Sequence, residues 1–295
     1  MTPPKVTDEG IRNGTPFVRV SDIGNFSVFK TFDCGQCFRF DPIESEYDLE
    51  IGGVAHGRRI SFATVGDDLL ITGADSNDFA SLWERYLSLD TDYDEIDRAI
   101  ISALDDDGCA VMKRAAEAGS GIRILRQDPW EALCSFIISQ NNNIPRIKKI
   151  ISSLSEAFGE KIADGAYSFP TPEALAAAGE ERIFALKTGF RASYITDAAR
   201  KVADGELDLN SVIACKSYEK AAEMLMNVRG VGPKVAACAL LFGFGYTEAF
   251  PIDTWMKKVA ARHFPNGLDH SRFGSAAGIA QQYLFYMERY TLQNT

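Results

Sequence analysis

The sequence predicts an α+β protein in which an N-terminal antiparallel β-sheet lobe with covering helices is followed by an all-α region. Three observations carry that expectation. Between Phe17 and about Thr72 the chain consists of short β-branched and aromatic runs broken by glycine and aspartate. From Phe79 onward, apolar residues recur at helical spacing. Beyond Asp128, strand-like runs nearly vanish. The expected domains are residues 1–115, the sheet with its helices, and residues 116–295, the helical region.

Taken in order, the strand-like runs are Phe17 to Val20, Phe26 to Phe32, Tyr47 to Ile51, Arg59 to Thr64 and Leu69 to Thr72. Gly52-Gly53 and Gly66-Asp67-Asp68 are read as the breaks between them. Two amphipathic stretches follow, Phe79 with Leu82, Trp83, Tyr86 and Leu87, and Ile96 with Ala99, Ile100, Ala103 and Leu104. Both are expected to cover the sheet. Trp130 with Leu133, Cys134, Ile137 and Ile138 forms the next stripe, and Ile147 with Ile150, Ile151, Leu154 and Phe158 another. In Phe169-Pro170-Thr171-Pro172, Thr171 is the expected cap of a helix whose first residue is Pro172.

Composition narrows the function classes. A chain of 295 residues, 46% hydrophobic and 24% charged, can bury a large core. Its longest apolar run, Val235 to Phe242, is far below the roughly 20 residues that span a bilayer. The start, Met1-Thr2-Pro3-Pro4-Lys5, carries no export signal, so neither a membrane nor secretion is expected. The six scattered cysteines suit a reducing compartment. Cys34 and Cys37 form a C-x-x-C pair, but without a second pair, and with three histidines, a zinc or iron–sulfur site lacks ligands.

A net charge of −10 argues at first sight against nucleic acid. The distribution softens that: residues 1–128 hold 13 Lys/Arg against 24 Asp/Glu, whereas residues 129–264 hold 16 against 15. Backbone N–H groups and a few selected side chains can grip phosphates without a positive total.

The stretch that carries chemistry runs from Ser217 to Phe264. A helix from Tyr218 to Met226 leads through Val228-Arg229-Gly230-Val231-Gly232-Pro233 into a second helix beginning near Lys234. Gly230 and Gly232 allow a tight turn that brings backbone N–H groups and a helix N-terminus to a phosphate. The positive end of the helix dipole is a poor place for a structural ammonium, but it favours the neutral amine, which is a nucleophile. Asp253, in Phe250-Pro251-Ile252-Asp253, can cap the next helix. Paired with Lys234, its carboxylate can also orient the amine and stabilise positive charge developing on a sugar as its base departs.

Gly230-Val231-Gly232-Pro233-Lys234 with Pro251-Ile252-Asp253 resembles the helix-hairpin-helix and Gly/Pro-rich-loop-Asp signature of base-excision DNA glycosylases, and the lysine marks the lyase-competent branch. Further segments resemble the 8-oxoguanine DNA glycosylase family: Cys34-Gly35-Gln36-Cys37-Phe38-Arg39-Phe40, Gln127-Asp128-Pro129 leading to Ser139-Gln140-Asn141-Asn142-Asn143-Ile144, Gly189-Phe190-Arg191, and Gln281 with Leu284-Phe285. The matches run in order over about residues 17 to 290.

The resemblance implies a bifunctional DNA glycosylase/AP lyase for base excision repair. It would flip 8-oxoguanine out of damaged double-stranded DNA, with Lys234 as nucleophile, forming a Schiff base ahead of β-elimination, and Asp253 as its partner. It further implies a lesion pocket of Gly35, Cys238, Gln281 and Phe285, in which the Gly35 carbonyl accepts from the lesion's N7–H. Asn141 would fill the gap left by the flipped base, Arg146 and Arg191 would read the cytosine opposite, Phe190 would wedge beside it, and Gly230 and Gly232 would meet phosphate. No cofactor is required, although the resemblance allows a monovalent cation on the carbonyls of Val228 and Val231. A monomer in a bacterial or archaeal cytosol is expected, as no basic nuclear-import cluster is present. Pro233 before the lysine, Trp255 where a histidine is usual, Cys37 for serine and Phe190 for tyrosine depart from the commoner pattern and bear on how strictly cytosine is selected. The alternatives are a glycosylase for alkylated purines or oxidised pyrimidines, and a non-catalytic helix-hairpin-helix module that only grips DNA.

Overall fold

The computed structural model describes residues 2–291; Met1 and residues 292–295, at the ends of the two expected domains, lie outside the described residues. Six strands, β1 (Lys5–Arg12), β2 (Thr15–Ser21), β3 (Phe40–Pro42), β4 (Glu50–Ala55), β5 (Arg58–Val65) and β6 (Asp68–Thr72), form one sheet in the order β1-β2-β6-β5-β4-β3. Every neighbouring pair is antiparallel. Two-residue turns with positive φ at both positions close two of its hairpins, Asn13-Gly14 between β1 and β2 and His56-Gly57 between β4 and β5. Such turns match the twist of the strands they join.

Two strand expectations are corrected. The run Phe26 to Phe32 is not a strand but contains helix α1 (Val28–Asp33), started by Ser27, whose hydroxyl accepts from Lys30 N at 3.2 Å. Val28 and Phe32, four apart, bury one face of it in the sheet core. The run Tyr47 to Ile51 becomes strand only at Glu50, and Gly52-Gly53 lies inside β4 instead of breaking it. A Cβ on Gly53 would stand 2.2 Å from the Arg39 carbonyl, so the glycine permits close approach of backbone to backbone.

Only one of the two amphipathic stretches covers the sheet. A helical segment built of α2 (Ser76–Asp78), a π turn (Phe79–Trp83) and α3 (Glu84–Tyr86) places Phe79, Trp83 and Tyr86 in the sheet core. The second stretch, α4 (Tyr93–Ser102), followed by α5 (Asp106–Gly119), sends Tyr93, Ile100, Val111 and Met112 into a separate, larger core shared with the C-terminal helices. The contact is tight because a Cβ on Gly119 would lie 2.4 Å from the Tyr283 ring.

That larger core is built by α6 (Pro129–Ser139), α7 (Ile144–Phe158), α8 (Pro172–Ile183), α9 (Arg191–Ala203), α10 (Leu209–Ala214), α11 (Tyr218–Met226), α12 (Pro233–Ala239), α13 (Thr254–His263) and α14 (Ala277–Thr291). Asp128, Asn143 and Thr171 each cap the helix that follows them, with proline in its first turn. A short hairpin, β7 (Lys161–Ala163) and β8 (Ala166–Tyr167), interrupts the helices. Among the described residues, no helix is long and apolar enough to cross a membrane.

Candidate active site

α11 ends at Met226 with Asn227 as its C-cap, and the turn that follows is closed by Val231 N donating to the Val228 carbonyl at 3.0 Å. Gly230 has φ +78°, and a Cβ there would fall 2.2 Å from the Tyr194 ring. Gly232, by contrast, has ordinary backbone geometry with open space around it and caps α12 without any side chain. The first N–H groups of α12 therefore have no capping side chain, as backbone contact to a phosphate requires. Lys234 stands in the first turn of α12, half-buried, its Nζ 6.0 Å from the centre of the Phe136 ring.

Asp253 caps α13 as its position in sequence suggests, Oδ1 accepting from Met256 N at 2.9 Å. Among the described residues no donor reaches Oδ2. Lys234, Asp253 and Cys238 lie within one electrostatic neighbourhood. Burial pushes the Cys238 thiol up to about 11; Lys234 opposes the rise and Asp253 adds to it.

These residues line a single cavity of about 70 Å³ together with Gly35, Phe136, Gln281 and Phe285. Four separate stretches of chain thus converge on it: the loop after α1, α6, the α12–α13 segment and α14. Gln281 is 5% exposed, and its Oε1 has no hydrogen-bond partner. A buried amide oxygen without a donor is costly, and one facing a cavity points to a ligand that brings N–H groups. Gly35 has φ +82° and lies against Ile144 and Phe285. Phe285 is in turn met edge-on by Trp255 at 6.4 Å, and Lys258 Nζ sits 4.4 Å from the centre of the Trp255 ring.

The residues expected to contact the DNA around the lesion gather on a second cluster. Asn141 is exposed with φ +48°, and Asn143 caps α7 through Arg146 N at 3.0 Å. Phe190 is 50% exposed, with the Arg191 guanidinium 4.4 Å from its ring centre. Arg191 itself is buried: Nε donates to Gln140 O at 2.9 Å, Nη2 to the carbonyls of Gln140 and Asn141, and Nη1 to Thr188 O at 3.1 Å. Four of its five N–H donors are thereby used, and burial, with Arg146 second, lowers its affinity for the proton. Arg146 remains exposed. Sequence reasoning does not single out Phe136 or Gln282. Phe136 sits off the apolar stripe read for α6, and Gln282 follows Gln281 directly, on another face of the same helix.

One cleft thus holds an amine at a hairpin helix start, a carboxylate on the same lining, and a buried unpartnered acceptor. Two family models match the chain: the 8-oxoguanine DNA glycosylase N-terminal domain over residues 20–133, and the HhH-GPD superfamily base excision DNA repair protein over residues 134–272. A solved structure of MBOgg1 with a low-affinity DNA ligand is 39% identical, with TM-score 0.88, over 98% of this chain and 99% of that one. The Clostridium acetobutylicum 8-oxoguanine glycosylase/lyase, solved with duplex DNA carrying cytosine opposite 8-oxoG, is 36% identical, with TM-score 0.85 and the same coverage. A Saccharomyces cerevisiae N-glycosylase/DNA lyase is 41% identical over 49% of this chain and 42% of its own length. The match covers 64% of a probable N-glycosylase/DNA lyase from Methanothermobacter thermautotrophicus, which is 30% identical over 57% of this chain. This chain therefore spans about half the length of these curated relatives. The chain belongs to the 8-oxoguanine DNA glycosylase family.

Proposed function

We propose that the protein is a bifunctional DNA glycosylase/AP lyase that excises 8-oxoguanine from duplex DNA. The observation that carries this reading is the convergence of Lys234, Asp253 and the unpartnered Gln281 Oε1 on one cavity. Guanine-type bases present N1–H and N2–H donors on their Watson–Crick edge, which satisfy an acceptor such as Gln281. The lesion carries hydrogen on N7 where guanine has a bare acceptor, so a fixed carbonyl at Gly35 bonds one and repels the other. Cys238 and Phe285 flank the base.

The Lys234 amine attacks C1′ of the flipped nucleotide. The C1′–N9 bond breaks, its electron pair leaves with the base, and a proton restores the neutral purine. Asp253 stabilises the positive sugar and orients the amine. Opening of the sugar leaves a Schiff base to Lys234; loss of a 2′ proton then expels the 3′ phosphate and cuts the strand. Asn141, Phe190, Arg146 and Arg191 hold the gap and the opposite cytosine, and Gly230 and Gly232 hold phosphate. Arg191 must exchange carbonyl bonds for base contacts to do so. The Val228 carbonyl already accepts from Val231 N, so a monovalent cation there would use its second lone pair. The protein acts as a monomer in the cytosol, a setting in keeping with its six free cysteines.

Borohydride trapping on duplexes with 8-oxoguanine opposite each base tests this. A covalent adduct in the wild type, strongest opposite cytosine and absent in Lys234→Gln, is expected. Duplex binding without any adduct in the wild type would overturn the lyase assignment.

A further inference from the structure

We propose that Gln282 is a positioning residue that sets lesion discrimination by holding the loop bearing Gly35. The inference deepens the proposed excision of 8-oxoguanine and rests on it. A single hydrogen on N7 separates lesion from normal base, so the carbonyl that reads it must be held within about 0.5 Å. Glycine at φ +82° offers no such rigidity by itself.

The loop is held from outside instead. The Asp33 carbonyl accepts from Arg289 Nη1 at 3.1 Å, and the Tyr290 hydroxyl donates to the Asp33 carboxylate. The Cys34 carbonyl accepts from Gln282 Nε2 at 2.9 Å, both groups being buried. The Gln36 carbonyl accepts from Gln127 Nε2 at 2.7 Å. The Gln36 side chain is wholly buried, donating to the carbonyls of Thr31 and Arg123 and accepting from Leu125 N, each at 2.8 Å. Among the described residues no donor reaches the carbonyl of Gly35. Every carbonyl around it is occupied, and the one at the cavity is left free.

Gln282 connects this loop to the reading helix. Gln281 and Gln282 are consecutive on α14 and both border the cavity, and Gln282 also donates to the peptide that precedes Gly35. A planar peptide turns as a unit. Without the Gln282 donor, the buried Cys34 carbonyl would rotate to find another, and Gly35 would swing with it. The distance between the Watson–Crick acceptor and the N7 acceptor is therefore set by two adjacent side chains of one helix.

Single-turnover excision of 8-oxoguanine and of guanine opposite cytosine tests this in Gln282→Met, which keeps the volume and removes the donor. Strand cleavage at a preformed abasic site, which involves no base, is measured in parallel. The ratio of 8-oxoguanine to guanine excision should fall about tenfold, the worth of one neutral hydrogen bond, while abasic-site cleavage falls far less. A variant in which both activities fall together, or in which the ratio stays at the wild-type value, overturns the proposal. If Gln282→Met does not fold, Gln282→Asn, which withdraws the same amide by one methylene, is read by the same ratio. Failure of the wild type to excise 8-oxoguanine at all would instead sink the underlying function.

Discussion

Asp253 caps a helix and, on the proposed mechanism, also steadies the sugar cation, two roles that a substitution can separate. As a cap it bonds Met256 N, and asparagine caps a helix as well as aspartate does. Asp253→Asn should therefore keep the stability within a few tenths of a kcal/mol, while Asp253→Ala should lose about 1 kcal/mol in urea denaturation. Both should lose base excision by two orders of magnitude or more if the carboxylate charge steadies the sugar cation, on the order of what one preorganised electrostatic group supplies. Normal excision by the asparagine variant would reduce Asp253 to a cap. Arg191 shows the opposite case, in which a residue expected to face DNA is engaged inside the protein. Its bonds to the carbonyls of residues 140 and 141 brace the turn that holds Asn141 at φ +48°.

At the scale of elements, the two hairpin glycines are not equivalent. Gly230 meets a positive φ and the Tyr194 ring together, so Gly230→Ala should cost on the order of 3 kcal/mol and take DNA binding with it. Gly232 has neither constraint within the protein. Gly232→Ala should change stability by less than about 1 kcal/mol, yet weaken duplex binding through the bulk placed at the helix start. Thermal melts alongside fluorescence anisotropy distinguish the two. Equal loss of stability in both variants would mean that the turn is purely structural. The same scale explains the misread strands. Helix α1 is too short for its period to show against a β-rich composition, and β1, with seven of its eight residues exposed, has no buried alternation to detect. Asn13-Gly14 is the signal that could have found β1.

For the whole molecule, the sheet lobe and the helical body are joined by a half-buried contact between Arg39 and Glu131. Arg39 reaches Glu131 at the start of α6 at 3.3 Å and also the Tyr167 carbonyl on β8. Burial raises the Glu131 carboxyl to about 7, more than Arg39 lowers it. A folded-state value above the unfolded value means that the stabilising proton is fully present below about 4.5 and is lost as pH rises through about 7. Burial raises Asp33 and Asp97 in the same direction. Stability should fall from pH 4.5 to 7.5 by an amount on the order of 3 kcal/mol from Glu131, and Glu131→Gln should flatten that part of the curve. An unchanged slope in urea melts of the variant would show that Glu131 is solvated in the fold.

The sequence by itself determined the α+β class, the hairpin with its lysine, the capping aspartate and the buried face of α7. Each of these depends on residues near one another along the chain, where spacing and capping chemistry act directly. Only the tertiary structure decided that α4 and α5 join the C-terminal helices, that Gly53 lies inside a strand, that Arg191 is buried, and that Gln282 grips a loop 248 residues away. Those outcomes depend on which surfaces meet. Such meetings are fixed by the complementarity of remote side chains, which local periodicity does not encode.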